Sequence, residues 1–91
     1  MEWKLFADLA DLAGGKEVAV DVAPGDTVGD ALDALLDPRP ELRERVLDDD
    51  GSLRDHVNLL RNGTNVANQD GLATELEQGD ELALFPPVSG G

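Results

Sequence analysis

Gly79-Asp80-Glu81-Leu82-Ala83-Leu84-Phe85-Pro86-Pro87-Val88-Ser89-Gly90-Gly91 closes the sequence. The Gly-Asp pair is turn chemistry, and the run behind it alternates, with Leu82 and Leu84 on one face and Ala83 and Phe85 on the other. That period of two is the pattern of a strand with one buried face. Pro86 and Pro87 stop the strand, because each fixes φ and lacks the N–H a ladder needs. Two consecutive prolines favour an extended, polyproline-type exit. The reading therefore divides the chain into a folded domain over residues 1–85 and an extended tail over residues 86–91. Fully extended, that tail reaches roughly 20 Å. Gly90 and Gly91 leave it thin enough to thread a narrow channel and leave the terminal carbonyl carbon unhindered. Chemistry on the C-terminal carboxylate is the function this ending suggests, with Pro86, Pro87, Val88 and Ser89 positioning it. The plainer reading of Gly and Ser at a terminus is a frayed end.

Working back from the tail, Val57 to Arg61 and Thr64 to Ala67 flank Asn62-Gly63, which supplies the positive φ angles of a type I′ hairpin turn. Upstream, Thr27 with Asp30 fits an N-cap followed by an acidic first turn. Val28, Ala31, Leu32, Leu35 and Leu36 then fall on one helical stripe, opposite Asp30, Asp33 and Asp37. Pro38 and Pro40 are expected to end that helix, and a short second helix is expected over Glu41 to Leu47, burying Leu42 and Val46. Asp48 to Ser52 reads as a polar loop. Near the start, Trp3 to Ala7 reads as a strand, with Trp3 and Leu5 on one face and Lys4 and Phe6 on the other. Val18, Val20 and Val22 alternate with Glu17, Ala19 and Asp21 as a second strand, and Leu9 to Gly15 between them is expected to form one helical turn. The fold class is α+β: a mixed sheet of 4–5 strands carrying one main helix on one face, with short helical segments.

The chain has 91 residues, of which 41% are apolar, and so encodes one small domain. A domain of this size buries roughly 60 to 65% of its unfolded surface. Trp3, Phe6 and Phe85 are the only aromatics, so Leu, Val and Ala must fill most of the interior. Cysteine is absent, which excludes disulfides, thiolate metal sites and an internal persulfide. No apolar stretch approaches the ~20 residues of a membrane span, and Met1-Glu2-Trp3-Lys4 does not resemble a secretory signal. The cytoplasm is the expected location, and a monomer the expected state. Net charge is −13, from 20 acidic and 7 basic residues. That balance argues against binding nucleic acid or an anionic membrane. Dispersed acidic charge destabilises a small fold in dilute salt, whereas the Debye length falls to about 3 Å at 1 M. The composition reads as halophilic: the domain is expected to melt at a lower temperature in dilute buffer than in molar salt, and equal stability in both would overturn that reading.

The terminal block, the opening Trp3-Lys4-Leu5-Phe6-Ala7 and the helix start Thr27-Val28-Gly29-Asp30-Ala31-Leu32 together resemble the ubiquitin-like β-grasp sulfur carriers of the MoaD/ThiS type. The likeness is to the small subunit of molybdopterin synthase and the small archaeal ubiquitin-like modifiers, here of haloarchaeal composition. It covers essentially the whole chain. The resemblance implies that an E1-like enzyme adenylates the Gly91 carboxylate. Sulfur attack on the acyl-adenylate then gives a thiocarboxylate for molybdopterin or tRNA sulfur transfer, and attack by a target lysine gives an isopeptide bond. The two routes need the same tail and stay open side by side. ATP, magnesium and zinc would belong to the activating enzyme, with none bound by this chain, and a molybdopterin synthase large subunit is a further implied partner. With no residue after Gly91, no processing protease is expected. Lys4 and Lys16, the only lysines, are the candidate acceptors for conjugates of the chain with itself.

Strand parity makes one further prediction. With Trp3, Leu5, Leu82 and Leu84 toward the helix, Phe6, Leu60, Ala83 and Phe85 collect on the opposite face as an apolar docking patch beside the base of the tail. The alternative is that the segment after Ala7 folds over that face. A non-covalent β-grasp module with an idle tail is the competing function. No internal catalytic or metal site is expected. His56 is the lone histidine, and the Asp48-Asp49-Asp50-Gly51 run lacks the calcium-loop Glu, since Leu59 stands at its position. Gly25 to Asp30 lacks the residues of a phosphate loop.

Overall fold

A computed structural model describes residues 1–55 and 57–86. The elements run β1 (Glu2–Leu5), α1 (Asp8–Ala13), β2 (Glu17–Ala19), α2 (Val28–Leu36), α3 (Pro40–Val46), β3 (Asn58–Arg61), β4 (Thr64–Asn65), two 3-10 turns (Val66–Asn68 and Gly71–Ala73) and β5 (Glu81–Phe85). The described strands form one mixed sheet in the order β2-β1-β5-β3-β4. β1 and β5 lie parallel at its centre, with Trp3 opposite Leu82 and Leu5 opposite Leu84. Antiparallel β3 then sets Leu59 opposite Leu84. These inward side chains are at most 2% exposed. They pack with the stripe of α2, with Leu42 and Val46 of α3 and with Leu9 and Ala10 of α1 into one core. This is the expected α+β arrangement, a main helix with two short ones on one face of the sheet.

α2 starts where its local signals place it. The Thr27 hydroxyl accepts the Asp30 N–H at 3.3 Å, and the Asp30 carboxylate accepts the Thr27 N–H at 3.0 Å, which closes a capping box. Gly29 in the first turn costs helix propensity but permits a close approach: a Cβ there would lie 3.1 Å from the Leu72 carbonyl oxygen. After Leu36 the last carbonyls are satisfied by Arg39, whose backbone N–H donates to Leu36 O and whose guanidinium donates to Leu35 O. Pro40 does more than end α2. It is the first residue of α3, where a missing N–H leaves no bond unmade.

Several boundaries differ from expectation: α3 runs Pro40–Val46 in place of Glu41 to Leu47, β3 starts at Asn58 in place of Val57, and β1 and β4 end early because a turn or a side chain captures a backbone group. β1 ends at Leu5 and not at Ala7, since Ala7 turns to φ 54° and the Phe6 carbonyl accepts the Leu9 N–H. The single expected turn after it is a six-residue helix whose Leu9 and Ala10 enter the core. β4 stops at Asn65, because the Asn65 side chain takes the Ala67 N–H at 2.9 Å and caps a 3-10 turn that buries Val66. β2 is an edge strand of three residues, beyond which Val20 still donates its N–H to Met1 O while Val22 packs at the core margin. Asn62 and Gly63 both adopt positive φ, 52° and 84°, as the hairpin requires. The Asp48 carboxylate accepts the N–H groups of Asp50 and Ser52 and so organises its own turn. Among the described residues no helix is long and apolar enough to cross a membrane, and no group of His, Cys, Asp or Glu is placed to hold a metal ion. His56 lies outside the described residues.

Candidate functional site

The site is built on the uncovered face of the sheet and on the strand that leads to the tail. Alternation along β5 sends Leu82 and Leu84 inward and leaves Ala83 and Phe85 half-buried on the other side. Register places Leu60 opposite Ala83 and Asn58 opposite Phe85, and parallel β1 brings Lys4 beside Ala83. Just past the end of β1, the Phe6 ring lies flat on Phe85, with centroids 4.2 Å apart and an interplanar angle of 8°. Phe6 is 40% exposed, the one large hydrophobic side chain so open among the described residues. The structure thus brings Phe6, Leu60, Ala83 and Phe85 onto one face, with Phe85 immediately before Pro86. α1 does not cover them. Leu9 and Ala10 are buried in the core and α1 packs against α3, so the segment after Ala7 lies on the helix side of the sheet.

The start of β5 is pinned by a polar clamp that sequence reasoning missed. The buried Asp80 carboxylate accepts from Arg61 Nε at 2.7 Å, Asn62 Nδ2 at 2.9 Å and the Glu77 N–H at 2.7 Å. Asn62 closes the circuit: its side-chain oxygen accepts the Glu81 N–H at 2.9 Å and its own N–H donates to Glu81 O. The β3–β4 turn and the first residue of β5 are therefore one unit. Burial pushes the Asp80 carboxyl up, but the Glu77 N–H, the Asn62 amide and the Arg61 guanidinium together outweigh it and hold the group below the usual carboxylate range. Asp80→Asn turns a donor toward other donors and strands Arg61, and is expected to cost about 3 kcal/mol at pH 7. A folded-state pKa below the unfolded one stabilises fully above the unfolded value of about 3.9 and loses that contribution as pH falls through the folded value. Melting curves should therefore show the gap between wild type and Asp80→Asn narrowing below about pH 4; a gap independent of pH would contradict the clamp.

Lys4 and Lys16 occupy unlike settings. Lys4 lies on the open face and pairs with Glu81 Oε1 at 2.6 Å; the hydrogen bond and charge of Glu81 raise its pKa. Lys16 is exposed in the bend between α1 and β2 and makes no ion pair with any described residue. The tail positions Pro87, Val88, Ser89, Gly90 and Gly91 lie outside the described residues.

A parallel pair β1–β5 at the centre of a mixed five-stranded sheet, flanked by antiparallel β2 and β3, with the main helix on one face, defines a ubiquitin-like β-grasp domain. The chain belongs to the ThiS family, whose model matches residues 3–91. It is 60% identical over 91 residues to small archaeal modifier protein 1 of Haloferax volcanii, a match covering 100% of both chains. The crystal structure of that protein superposes with a TM-score of 0.89 at 59% identity, covering 100% of this chain and 98% of that one. Sulfur carrier protein CysO of Mycobacterium tuberculosis is 35% identical over 71 residues, 76% of each chain. The crystal structure of the Amycolatopsis orientalis BexX/CysO complex matches with a TM-score of 0.83 at 26% identity, covering 99% of this chain and 98% of that one. These relationships place the chain among the ubiquitin-like modifiers and sulfur carriers.

Proposed function

We propose that the working group of this protein is the Gly91 carboxylate, activated by an E1-like enzyme and used in two ways. A carboxylate is a poor electrophile; adenylation with ATP forms a mixed anhydride and releases pyrophosphate. Sulfide attack on that anhydride expels AMP and leaves a thiocarboxylate, a sulfur donor for molybdopterin or tRNA biosynthesis. Attack by the ε-amine of a target lysine expels AMP and leaves an isopeptide bond. ATP, magnesium and zinc reside on the activating enzyme, and the chemistry runs in the cytoplasm on a monomeric carrier. The observation that carries this reading is the end-to-end match, tail included, to a protein named as an archaeal modifier. The test is ATP–pyrophosphate exchange by the E1-like enzyme of the same cell: exchange should require this chain, and exchange indifferent to it contradicts the proposal.

The open face supplies the means of docking. An exposed apolar patch next to the tail base allows a partner to hold the body while the tail enters its active site. That partner is the activating enzyme and, for sulfur transfer, a molybdopterin synthase large subunit; a CysO relative crystallised with BexX shows a family member in a protein complex. Phe85→Ala removes one ring of the stack and is expected to weaken binding to the activating enzyme about 10- to 30-fold, the size of an aromatic hot spot. The variant should keep its fold, since Phe85 is only half-buried. Titration calorimetry with the activating enzyme reads the loss, and undiminished affinity would remove the patch from the docking surface.

A further inference from the structure

We infer that Lys16, and not Lys4, is the residue through which a second copy of this chain is joined by its activated Gly91. The inference rests on the proposed activation of Gly91 and assigns the acceptor within it. Isopeptide formation needs a free amine: the lysine ammonium gives up a proton to solvent, the nitrogen lone pair attacks the Gly91 acyl carbon, and the C–O bond to AMP breaks as AMP leaves.

The two lysines differ in how far they meet that need. Lys4 is held at 2.6 Å by Glu81, so its nitrogen is tied to a carboxylate that favours the ammonium. Glu17 faces Lys4 across the β1–β2 pair and Glu2 precedes it on the same face, which adds to that bias. Glu81 also draws the Lys4 amine toward β5, onto the face that carries Phe85 and Ala83. Lys16 lies outside the strands at the β2 edge, with its backbone carbonyl fixed by the Leu5 N–H at 2.8 Å and its side chain exposed. Both lysines border one open groove, with Asp11 and Glu17 among its walls and Ala7, Ala10, Gly14 and Gly15 leaving room for a thin Gly-Gly tail, so the two differ in pairing and not in access to it. The third amine of the chain, at Met1, donates to Val20 O.

The test has two arms. In the first, the folded chain is labelled with a limiting amount of an acetyl N-hydroxysuccinimide ester and the lysines are read by peptide mass spectrometry. Lys16 is expected to label about three- to fivefold faster than Lys4, the bias an exposed ion pair confers, and Glu81→Gln should bring Lys4 up toward Lys16. Equal labelling in the wild type overturns the inference. In the second, chain-to-chain conjugates made with the E1-like enzyme and ATP are digested with trypsin. A Lys16 linkage hangs Asn62–Gly91 on a peptide running from Leu5 past Lys16; a Lys4 linkage hangs it on Met1–Lys16. Branching at Lys16 that is lost in Lys16→Arg and kept in Lys4→Arg is the expected result. Branching at Lys4 or Met1, or conjugates to other proteins with none between copies, overturns it. If Gly91 forms no adduct with anything, the parent reading fails and the acceptor role falls with it, while the labelling arm still decides the lysine asymmetry.

Discussion

Removing Gly90 and Gly91 is expected to abolish every covalent product of this protein, thiocarboxylate and lysine conjugate alike, and to leave its melting temperature unchanged. Among the described residues the buried core runs from Trp3 to Leu84 and β5 ends at Phe85, which is why no loss of stability is expected. Loss of function with the fold intact separates two accounts that share the same domain. A carrier works through the terminal acyl group and loses everything with it; a docking module works through Phe6, Phe85 and their neighbours and loses nothing. Blotting cell extracts for high-mass conjugates, alongside a thiocarboxylate-reactive probe, reads both routes at once. Adducts persisting on the shortened chain would move the attachment point away from Gly91.

The second large effect belongs to the core. Trp3 is wholly buried and its indole N–H donates to the Ala31 carbonyl of α2 at 3.1 Å, which ties the central strand to the main helix. With only three aromatic residues in the chain, two of them stacked on the open face, Trp3 is the one large ring filling the interior. Trp3→Ala is expected to cost about 3–5 kcal/mol, from lost burial and the cavity left behind. In a domain of this size each kcal/mol moves the melting temperature by about 4–8 °C. The variant should therefore melt some tens of degrees lower or fail to fold at 25 °C, measured in molar salt. Phe6→Ala, at a position 40% exposed, is the contrasting control and should cost little. Similar losses for both would mean that the open face is part of the core.

What was legible in the sequence was local. The Thr27 and Asp30 cap, the stripe from Val28 to Leu36, the Asn62-Gly63 turn and the β5 alternation each carry their signal within a few residues, and each lies where it was expected. Strand ends were less legible because distant contacts decide them. The left-handed Ala7 follows from docking Leu9 and Ala10 against the helix layer, and nothing in Phe6-Ala7-Asp8 announces it. The clamp on Asp80 joins residues 18 and 19 positions apart in sequence, and read singly Arg61 is a strand end while Asn62 and Asp80 are turn residues. Parity alone assembled Phe6, Leu60, Ala83 and Phe85 on one face; that the face is open required knowing on which side α1 lies. Charge composition said nothing about pairing, so the difference between Lys4 and Lys16 emerged only with Glu81 in place. Pro87 to Gly91 lie outside the described residues, and the role assigned to them rests on the tail's chemistry and on a family match that runs to residue 91.

The central claim is that Gly91 is chemically altered in the cell, and intact mass measures that directly. An N-terminally tagged chain is purified under denaturing conditions from cells that make the E1-like enzyme, beside the Gly90-Gly91 deletion. The expected result is a species with sulfur in place of one carboxylate oxygen, or a lysine-linked adduct, present only with the intact tail. A wholly unmodified, adduct-free chain would contradict the account and leave a β-grasp docking module in its place.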